Sequence, residues 1–565
     1  MKRRLIAGSI TVALAWPAFG ASAAADRITA AGAHGAVATD QELASDTGLR
    51  VLREGGNAVD AAVAIGYTLA VTFPAAGNLG GGGFMLIRFA RGAAHFIDFR
   101  ETAPSAARAG MYRDSRGRIV PDRSTVGPLS IGVPGSVAGL EFAREKYGTR
   151  SRRDLMSDAI DYAERGFTLT EADAAVLHRS QDLLTKYPAT AAVFTAGRAT
   201  LPAGTLLRQR NLARTLRYID AFGSDGFYKG TVARDMVAAI RSGGGIVTKA
   251  DLANYRAIER APLSCSYRGE TIVTSPPPSS GGVAICEILG ILGDTKPALP
   301  IRSFANTHLE VEAERRAFAD RNTQIGDPAF VTSPVGRLLD PAYLRRLRAQ
   351  IAADHATPSS EVRGGIATHE GTNTTNYSVV DAAGNAVDVT YTLNNSFGSG
   401  FVGGVTGVLL NDEMDDFTSK PGAPNMFGLV QGVANAIAPG KRPLSSMPPS
   451  IVVDRSGRSV LVAGAAGGPR IITTTLDIIR AVAGFGEDAP SALADPRIHM
   501  QWLPDVLYAE PDAFGAETLL RLREAGYAVE FGAAESAANA VATRPDGTRV
   551  GAHDPRTATG SALAY

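Results

Sequence analysis

Two alternating, β-branched runs separated by a short polar turn are the most constraining stretch of this chain. The first run covers residues 374–380, the turn covers residues 381–385, and the second run covers residues 386–394. Runs of this kind around a turn that contains Gly and Asn predict a β-hairpin. Because side chains alternate between the two faces of a strand, the register of this hairpin decides which side chains meet.

A turn at the middle of this segment brings two hydroxyl groups together. It pairs Val379 with Val387 and, at the open end of the hairpin, Thr374 with Thr392. Directly opposed residues on antiparallel strands have Cβ atoms about 4.5–5.5 Å apart. Asn394 shares a face with Thr392 because it lies two residues further along. Threonine is also a common strand residue, so the pair by itself has a purely structural interpretation as well.

Composition excludes several classes of function. The chain has 565 residues and a formal net charge of +1, with no basic block that would bind nucleic acid or an anionic membrane surface. Its eight histidines are scattered, and neither a Cys-x-x-Cys nor a His-Glu-x-x-His motif occurs, so we expect no metal site. The two cysteines, Cys265 and Cys286, are compatible with either a disulfide or two buried thiols.

The N-terminal segment has the pattern of a secretory signal. Residues 2–4 are basic, residues 5–19 are mainly apolar, and residues 21–25 are small, as at a cleavage site. An N-terminal membrane anchor is the alternative, although the apolar run is shorter than the roughly 20 residues of a membrane span. We therefore expect residues 1–25 to be a signal peptide and the protein to be secreted or periplasmic, with no membrane span after signal removal.

Glycine-rich segments precede two further predicted elements. The run Gly80–Gly83 leads into a predicted strand, and consecutive glycines there indicate unusual dihedral angles or a close approach of two backbones. Gly467 and Gly468 precede a predicted helix over residues 471–483. Their N–H groups are therefore placed to face an anion as unpaired donors.

Charged residues at the ends of two predicted strands are candidate binding groups. Arg100 ends the strand predicted over residues 95–99, and its planar guanidinium can grip a carboxylate or form a surface ion pair. An acidic cluster at residues 412–416 is compatible with a binding site, a solvated turn or a cation site. The polar stretch 356–373, directly before the hairpin, is predicted to be a flexible and cleavable loop.

The chain resembles the γ-glutamyltranspeptidase (glutathione hydrolase) family of N-terminal nucleophile hydrolases over nearly all of its predicted mature length. Seven ordered blocks carry the resemblance: residues 55–61, 77–84, 98–104, 374–394, 410–417, 442–447 and 467–468. The resemblance implies an α+β fold in the form of a four-layer αββα sandwich. Periodicity alone predicts only a mixture of helices and strands.

The resemblance also implies that the precursor cuts itself between Asn373 and Thr374. A large subunit of residues 26–373 and a small subunit of residues 374–565 would then remain together as a heterodimer. The freed amine of Thr374 can act as the general base for its own hydroxyl, which is a known way to activate a weak nucleophile. Such chemistry requires no cofactor.

The resemblance assigns roles to ten residues. It implies that Thr374 is the nucleophile, that Thr392 supports it, and that the N–H groups of Gly467 and Gly468 form an oxyanion hole. It further implies two groups of substrate-binding residues: Arg100, Ser445 and Ser446 for the α-carboxylate of a γ-glutamyl group, and Asn394, Glu413 and Asp416 for its α-ammonium. A zwitterion would thus meet an arginine at one end and carboxylates at the other.

Some positions depart from the pattern of the family. Asn376 stands where histidine is common, and Phe427, in a segment similar to an active-site lid, stands where some bacterial relatives have tyrosine. Residue 373, before the expected cut, varies among relatives. These differences bear on the rate of maturation and on the balance between hydrolysis and transfer.

The implied function is hydrolysis or transfer of γ-glutamyl groups from glutathione and related small molecules to water, amino acids or peptides. A cephalosporin (glutaryl) acylase of the same fold is the alternative enzyme. A glutaryl group has no α-ammonium, so the presence of Glu413 and Asp416 favours a γ-glutamyl substrate. A non-catalytic exported glutamate-binding protein is a more remote alternative, since Thr374, Thr392 and the glycine pair are intact.

Overall fold

The computed structural model describes residues 27–294, 299–362, 374–423, 425 and 431–565. Two seven-stranded antiparallel sheets are stacked face to face, and helices cover the outer face of each sheet. This arrangement is the four-layer αββα sandwich that the resemblance implies. The predicted signal segment 1–25, Asn373 and Phe427 lie outside the described residues.

Twenty-three strands occur in the described part of the chain. In chain order they are β1 (Thr29–Gly32), β2 (Ala36–Thr39), β3 (Gly82–Arg88), β4 (Ala94–Asp98), β5 (Phe167–Thr168), β6 (Thr195–Ala196), β7 (Ala199–Thr200), β8 (Leu206–Leu207), β9 (Ile258–Arg260), β10 (Leu263–Tyr267), β11 (Glu270–Thr274), β12 (Thr375–Val380), β13 (Ala386–Thr392), β14 (Phe401–Val402), β15 (Leu409–Leu410), β16 (Ser450–Val453), β17 (Ser459–Ala466), β18 (Ile498–His499), β19 (Leu507–Ala509), β20 (Val529–Phe531), β21 (Ala537–Thr543), β22 (Arg549–His553) and β23 (Ser561–Ala564).

The same residues contain eighteen α-helices. They are α1 (Glu42–Arg53), α2 (Ala58–Thr72), α3 (Ser136–Tyr147), α4 (Arg152–Arg165), α5 (Glu171–Arg179), α6 (Gln181–Leu184), α7 (Pro188–Phe194), α8 (Arg210–Phe222), α9 (Ser224–Tyr228), α10 (Gly230–Ser242), α11 (Lys249–Asn254), α12 (Gly281–Leu292), α13 (Phe304–Gln324), α14 (Val335–Leu338), α15 (Pro341–Ala349), α16 (Arg470–Ile479), α17 (Ala489–Ala494) and α18 (Ala516–Glu524).

The predicted hairpin lies at the centre of one sheet. Sheet I has the strand order β23-β2-β12-β13-β3-β4-β9, and sheet II has the order β1-β22-β21-β17-β16-β11-β10. The predicted register is confirmed, because Val379 pairs with Val387 and Thr375 pairs with Tyr391. Thr374 therefore stands directly before β12, opposite the last residue of β13. A central strand is bonded on both sides, so the backbone around this pair is held firmly.

The helices α1 and α2 cover the outer face of sheet I. Asn57 begins α2 with a capping box, in which its side chain accepts from the Asp60 N–H and the Asp60 side chain accepts from the Asn57 N–H. Every residue of α2 is buried, as its nearly continuous apolar sequence predicts. The Tyr391 hydroxyl of β13 donates to the Gly66 carbonyl at 2.9 Å, which fixes this helix against the hairpin.

The sequence predicts helices over residues 171–185, 304–320, 341–353 and 471–483, and several of these predicted ends are wrong. The helix predicted over residues 171–185 is two helices, α5 and α6, which meet at Ser180. The helix predicted to end at Asp320 continues to Gln324, and the one predicted to end at Ala353 stops at Ala349. The helix predicted over 471–483 is α16 followed by a π-helical turn. Tertiary packing decides these ends, because the local sequence carries no strong stop signal there.

Cys265 of β10 and Cys286 of α12 form a disulfide, with their Cα atoms 5.8 Å apart. The bond ties the outer edge of sheet II to a helix of the layer that covers it. Between the two alternatives that the sequence leaves open, the structure therefore selects the disulfide. A search of the described residues finds no helix with the length and apolar character of a membrane span.

A buried carboxyl group lies beneath the hairpin, between the sheets. Asp388 of β13 accepts hydrogen bonds from the Ser378 hydroxyl at 2.7 Å and the Asn376 side-chain amide at 3.1 Å. It also accepts from the Ser450 N–H of sheet II at 3.2 Å. Burial raises the pKa of Asp388 to about 7, against the partial opposition of these donors.

This pKa predicts a pH dependence of stability. Between about pH 4 and pH 7 the unfolded chain loses the proton of Asp388 while the folded chain keeps it, so the free energy of unfolding falls as the pH rises. Replacing Asp388 with asparagine removes this titration. We expect wild type to lose on the order of 2 kcal/mol more stability than Asp388→Asn between pH 5 and pH 8 in urea unfolding. Parallel pH profiles for the two proteins would contradict the assignment.

Candidate active site

The paired threonines form the centre of a cleft at the open end of the hairpin. The hydroxyl oxygens of Thr374 and Thr392 lie 3.5 Å apart, at the outer limit of a hydrogen bond. The Asn394 N–H donates to the Thr392 hydroxyl oxygen at 2.8 Å, which orients that hydroxyl. Both threonine side chains are largely buried but line the cleft. The sequence-predicted pair thus has the geometry of a nucleophile with a supporting hydroxyl.

The four-glycine run is explained by close backbone approach beside Thr392. A Cβ atom on Gly81 would lie 1.9 Å from the Thr392 carbonyl oxygen, far inside van der Waals contact. The Asn78 side-chain amide donates to the same carbonyl at 2.9 Å, and its oxygen accepts from the Gly81 N–H at 2.8 Å. This segment therefore fixes the backbone of Thr392 from the β3 side.

A buried carboxylate holds the other strand of the hairpin. Asp40, which follows β2, accepts from the Thr375 hydroxyl at 2.8 Å and from the Asn376 N–H at 3.3 Å. Burial raises the pKa of Asp40. Asn376, the position where the family commonly has histidine, directs its side-chain amide toward Asp388 below the hairpin. Sequence reasoning gave Asp40 no role, since nothing local marks it as a neighbour of residue 374.

The glycine pair lies across the cleft from the threonines. Gly467 and Gly468 connect β17 to α16 with φ angles of +125° and +56°, a conformation that favours glycine. A Cβ atom on Gly467 would also lie 2.6 Å from the Glu535 carbonyl oxygen. Among the described residues, neither N–H of the pair donates to a protein acceptor. Two such donors beside a nucleophile can stabilise an oxyanion.

The charged residues of the cleft form one cluster, whereas the resemblance implied separate ends. The Arg100 guanidinium contacts the carboxylates of both Glu413 and Asp416 directly. It also donates to the carbonyls of Pro443 and Leu444, each at 3.3 Å. Arg100 is fully buried, and a buried charge requires charged partners and hydrogen bonds. The arginine and the acidic cluster therefore share one wall of the cleft.

The charged groups of this wall shift one another's pKa values. Burial alone would lower the pKa of Arg100, but the charges of Glu413, Asp416 and Glu101 outweigh it and raise that pKa. Burial raises the pKa of Glu413 well above its usual range, and the arginine only partly opposes this. Burial likewise raises the pKa of Glu101 to about 7. The wall thus holds three carboxyl groups, those of Glu413, Asp416 and Glu101, around one arginine.

Two serines complete the cleft. The Ser445 hydroxyl oxygen accepts from the Met447 N–H at 3.1 Å, and the Ser446 hydroxyl oxygen accepts from the Arg321 guanidinium at 2.9 Å. Arg321 belongs to α13 and is buried. Sequence reasoning missed it because the helix was predicted to end one residue earlier, and nothing in the sequence places this helix beside the hairpin.

The cleft brings together nine of the ten sequence-predicted site residues. They are Arg100, Thr374, Thr392, Asn394, Glu413, Asp416, Ser445, Ser446 and Gly468. The tenth, Gly467, lines an adjoining cavity that also contains Thr374. Polar and charged groups that converge on one cleft are typical of a small-molecule site.

Comparisons with known proteins agree with this geometry. The family model described as Gamma-glutamyltranspeptidase matches residues 44–564. This chain belongs to the γ-glutamyltranspeptidase family. The matched range includes all ten residues to which the resemblance assigned roles.

Two curated relatives of this γ-glutamyltranspeptidase family protein are each named glutathione hydrolase proenzyme. The one from Pseudomonas sp. (strain A14) is 49% identical over 94% of this chain and 94% of its own length. The one from Escherichia coli (strain K12) is 45% identical over 92% of this chain and 90% of its own length. The crystal structure of cephalosporin acylase from Bacillus halodurans is similar at a TM-score of 0.84 and 25% identity, covering 98% of this chain and 99% of that one.

Substitution of Gly81 by alanine tests the role of the glycine run. The added methyl group must displace the Thr392 carbonyl, and a shift of about 1 Å near reacting groups can cost on the order of 100-fold in rate. We expect Gly81→Ala to lower γ-glutamyl-p-nitroanilide cleavage by about that factor. Gly110→Ala is the matched control, since its Cβ meets nothing within 4 Å. A wild-type rate for Gly81→Ala would contradict the role.

Proposed function

We propose that this protein is a self-processing γ-glutamyl hydrolase and transferase that cleaves the γ-glutamyl amide bond of glutathione and related compounds. The observation that carries the proposal is the cleft in which the Thr374–Thr392 hydroxyl pair faces a glycine pair and a buried charged wall. The names of the two curated relatives support the same substrate class.

In this proposal the precursor first cuts the peptide bond between Asn373 and Thr374. The Thr374 hydroxyl attacks the Asn373 carbonyl, the peptide becomes an ester, and water hydrolyses the ester. The products are a large subunit of residues 26–373 and a small subunit of residues 374–565, which remain together as a heterodimer. The extensive pairing of β12 with β2, from opposite sides of the cut, supports continued association.

Catalysis then uses the new N-terminus. The Thr374 amine removes the proton from the Thr374 hydroxyl, whose oxygen attacks the γ-carbonyl carbon of the substrate. The N–H groups of Gly467 and Gly468 stabilise the oxyanion, a contribution that is typically worth about 10²–10³ in rate for each donor. The amine passes the proton to the departing nitrogen, leaving a γ-glutamyl ester on Thr374. Water or an amino group of an acceptor attacks this ester and releases glutamate or a new γ-glutamyl amide.

The charged wall selects the glutamyl group. Arg100, Ser445 and Ser446 are assigned to its α-carboxylate, and Asn394, Glu413 and Asp416 to its α-ammonium. In this proposal the two binding positions lie side by side, because a single carbon atom joins the two groups in an amino acid. The direct contact of Arg100 with both acids supports this arrangement. Every proton transfer is performed by the chain itself, so the proposed reaction requires no metal or cofactor.

A glutaryl acylase remains a second candidate, because a cephalosporin acylase is a close structural neighbour. The buried acids argue against it. A substrate without an α-ammonium would leave Glu413 and Asp416 facing a group that does not need them. Rates with glutathione and with a glutaryl amide, measured side by side, distinguish the two functions. The γ-glutamyl proposal requires a strong preference for glutathione.

The place of action is also part of the proposal. The pattern of residues 1–25 and the disulfide between Cys265 and Cys286 both suit an oxidising compartment outside the cytoplasm. We assign the mature enzyme to the periplasm or to the secreted fraction.

Replacement of Thr374 tests the nucleophile. We expect Thr374→Ala to remain a single chain and to lose turnover of γ-glutamyl-p-nitroanilide by at least about 10⁴-fold, because the variant lacks the hydroxyl that forms the ester in both reactions. Thr374→Ser, which keeps a hydroxyl, is the matched control and should be cut and active. Gel electrophoresis, intact mass and anilide release measure the outcome. Processing or turnover by Thr374→Ala would refute the assignment.

A further inference from the structure

The hydroxyl oxygens of Ser445 and Ser446 both accept hydrogen bonds from the protein, which leaves both hydroxyl hydrogens available for donation. A serine hydroxyl has one hydrogen to donate, and its oxygen accepts. The Ser446 oxygen already accepts from Arg321, and the Ser445 oxygen accepts from Met447 N–H. Within the described residues, neither of these hydroxyl hydrogens has a protein acceptor. Both serines are therefore set up as donors to an anionic ligand in the cleft.

Arg321 holds both serines with one guanidinium. Its Nη2 donates to the Ser446 hydroxyl oxygen at 2.9 Å, and its Nε donates to the Ser280 hydroxyl at 2.9 Å. Ser280 in turn donates from its hydroxyl to the Ser445 carbonyl at 2.7 Å and from its N–H to the same carbonyl at 2.8 Å. A planar fork can hold two such partners at fixed positions, whereas a single ammonium cannot.

Arg321 also contributes a charge to the cleft, in addition to its hydrogen bonds. The positive charge of Arg100 is shared with Glu413 and Asp416, so this wall alone offers little net attraction to a carboxylate. Arg321 is buried, lines the same cleft and lies on the side of the serines. It therefore adds a second guanidinium to the lining of the cleft, in direct contact with Ser446.

We propose that Arg321 is a positioning residue that fixes the hydroxyl of Ser446 as a donor to the α-carboxylate of the substrate and thereby selects donors that carry this group. The inference rests on the proposed function of the cleft. Arg321 acts through Ser446, and its hydrogen bond to Ser280 holds the guanidinium in place for that contact. The structure thus assigns carboxylate recognition to a residue on α13, outside the motifs that identify the family.

The test compares two anilides that differ in one group. The first is γ-glutamyl-p-nitroanilide, and the second is 4-aminobutyryl-p-nitroanilide, which lacks only the α-carboxylate. For Arg321→Gln we expect KM for the first anilide to rise about 10- to 100-fold, the range of a lost hydrogen bond to a charged group. We expect kcat for the first anilide and kcat/KM for the second to stay within about threefold of wild type.

Two variants sharpen the comparison. Arg321→Lys keeps the charge but not the fork, so its KM should fall between wild type and Arg321→Gln. Arg316→Gln is the matched control, because Arg316 is a buried arginine of the same helix that pairs with Glu312 and lines a different cavity. Arg316→Gln should keep the wild-type ratio of the two anilides. If Arg321→Gln does not fold, the ratio of kcat/KM for the two anilides is measured on Arg321→Lys, and a wild-type ratio in that variant overturns the inference.

A double-mutant cycle tests whether Arg321 acts through Ser446. In a Ser446→Ala background, Arg321→Gln should add less than about threefold to KM for γ-glutamyl-p-nitroanilide, because coupled residues are not additive. The inference is overturned if Arg321→Gln slows both anilides by the same factor, if its KM stays at the wild-type value, or if the two substitutions are additive. Wild-type protein that cleaves neither anilide would instead refute the proposed function.

Discussion

The position of the Thr374 hydroxyl opposite that of Thr392 is the constraint on which the rest of the site depends. Because the proposed nucleophile stands directly before β12, its position depends on the residues that surround it. The central hairpin supplies the register, the close approach of Gly81 fixes the backbone of Thr392, and Asp40 anchors the first residues of β12. The packing of the sandwich thus fixes the relative positions of the two hydroxyls that the hairpin brings together.

Buried charge is the second organising principle. The cleft holds an arginine in direct contact with two acids, and a second arginine lies behind the serines. Removing so many charges from water is costly, and these contacts offset part of that cost. A zwitterionic ligand fits such a wall because it brings one charge of each sign. Recognition of the ligand and the stability of the site therefore depend on the same residues.

Much of this could be predicted from the sequence where the signal is local. The hairpin register follows from its turn, and the start of α2 follows from the Asn57 cap. The contact of Arg100 with Glu413 and the approach of α13 to the serines join residues more than 100 positions apart, so no local pattern reveals them. The four-glycine run indicated a close approach, but only the structure identifies Thr392 as the partner. The choice of a disulfide likewise required the packing of α12 on β10.

The most direct test of the central claim is to trap the covalent intermediate. Enzyme mixed with γ-glutamyl-p-nitroanilide, quenched in acid during turnover and digested, is analysed by peptide mass spectrometry. The account predicts one added γ-glutamyl group, located by fragmentation on the N-terminal Thr374 of the small subunit and absent from Thr374→Ala. Active enzyme that carries the γ-glutamyl group on any other residue would contradict the account.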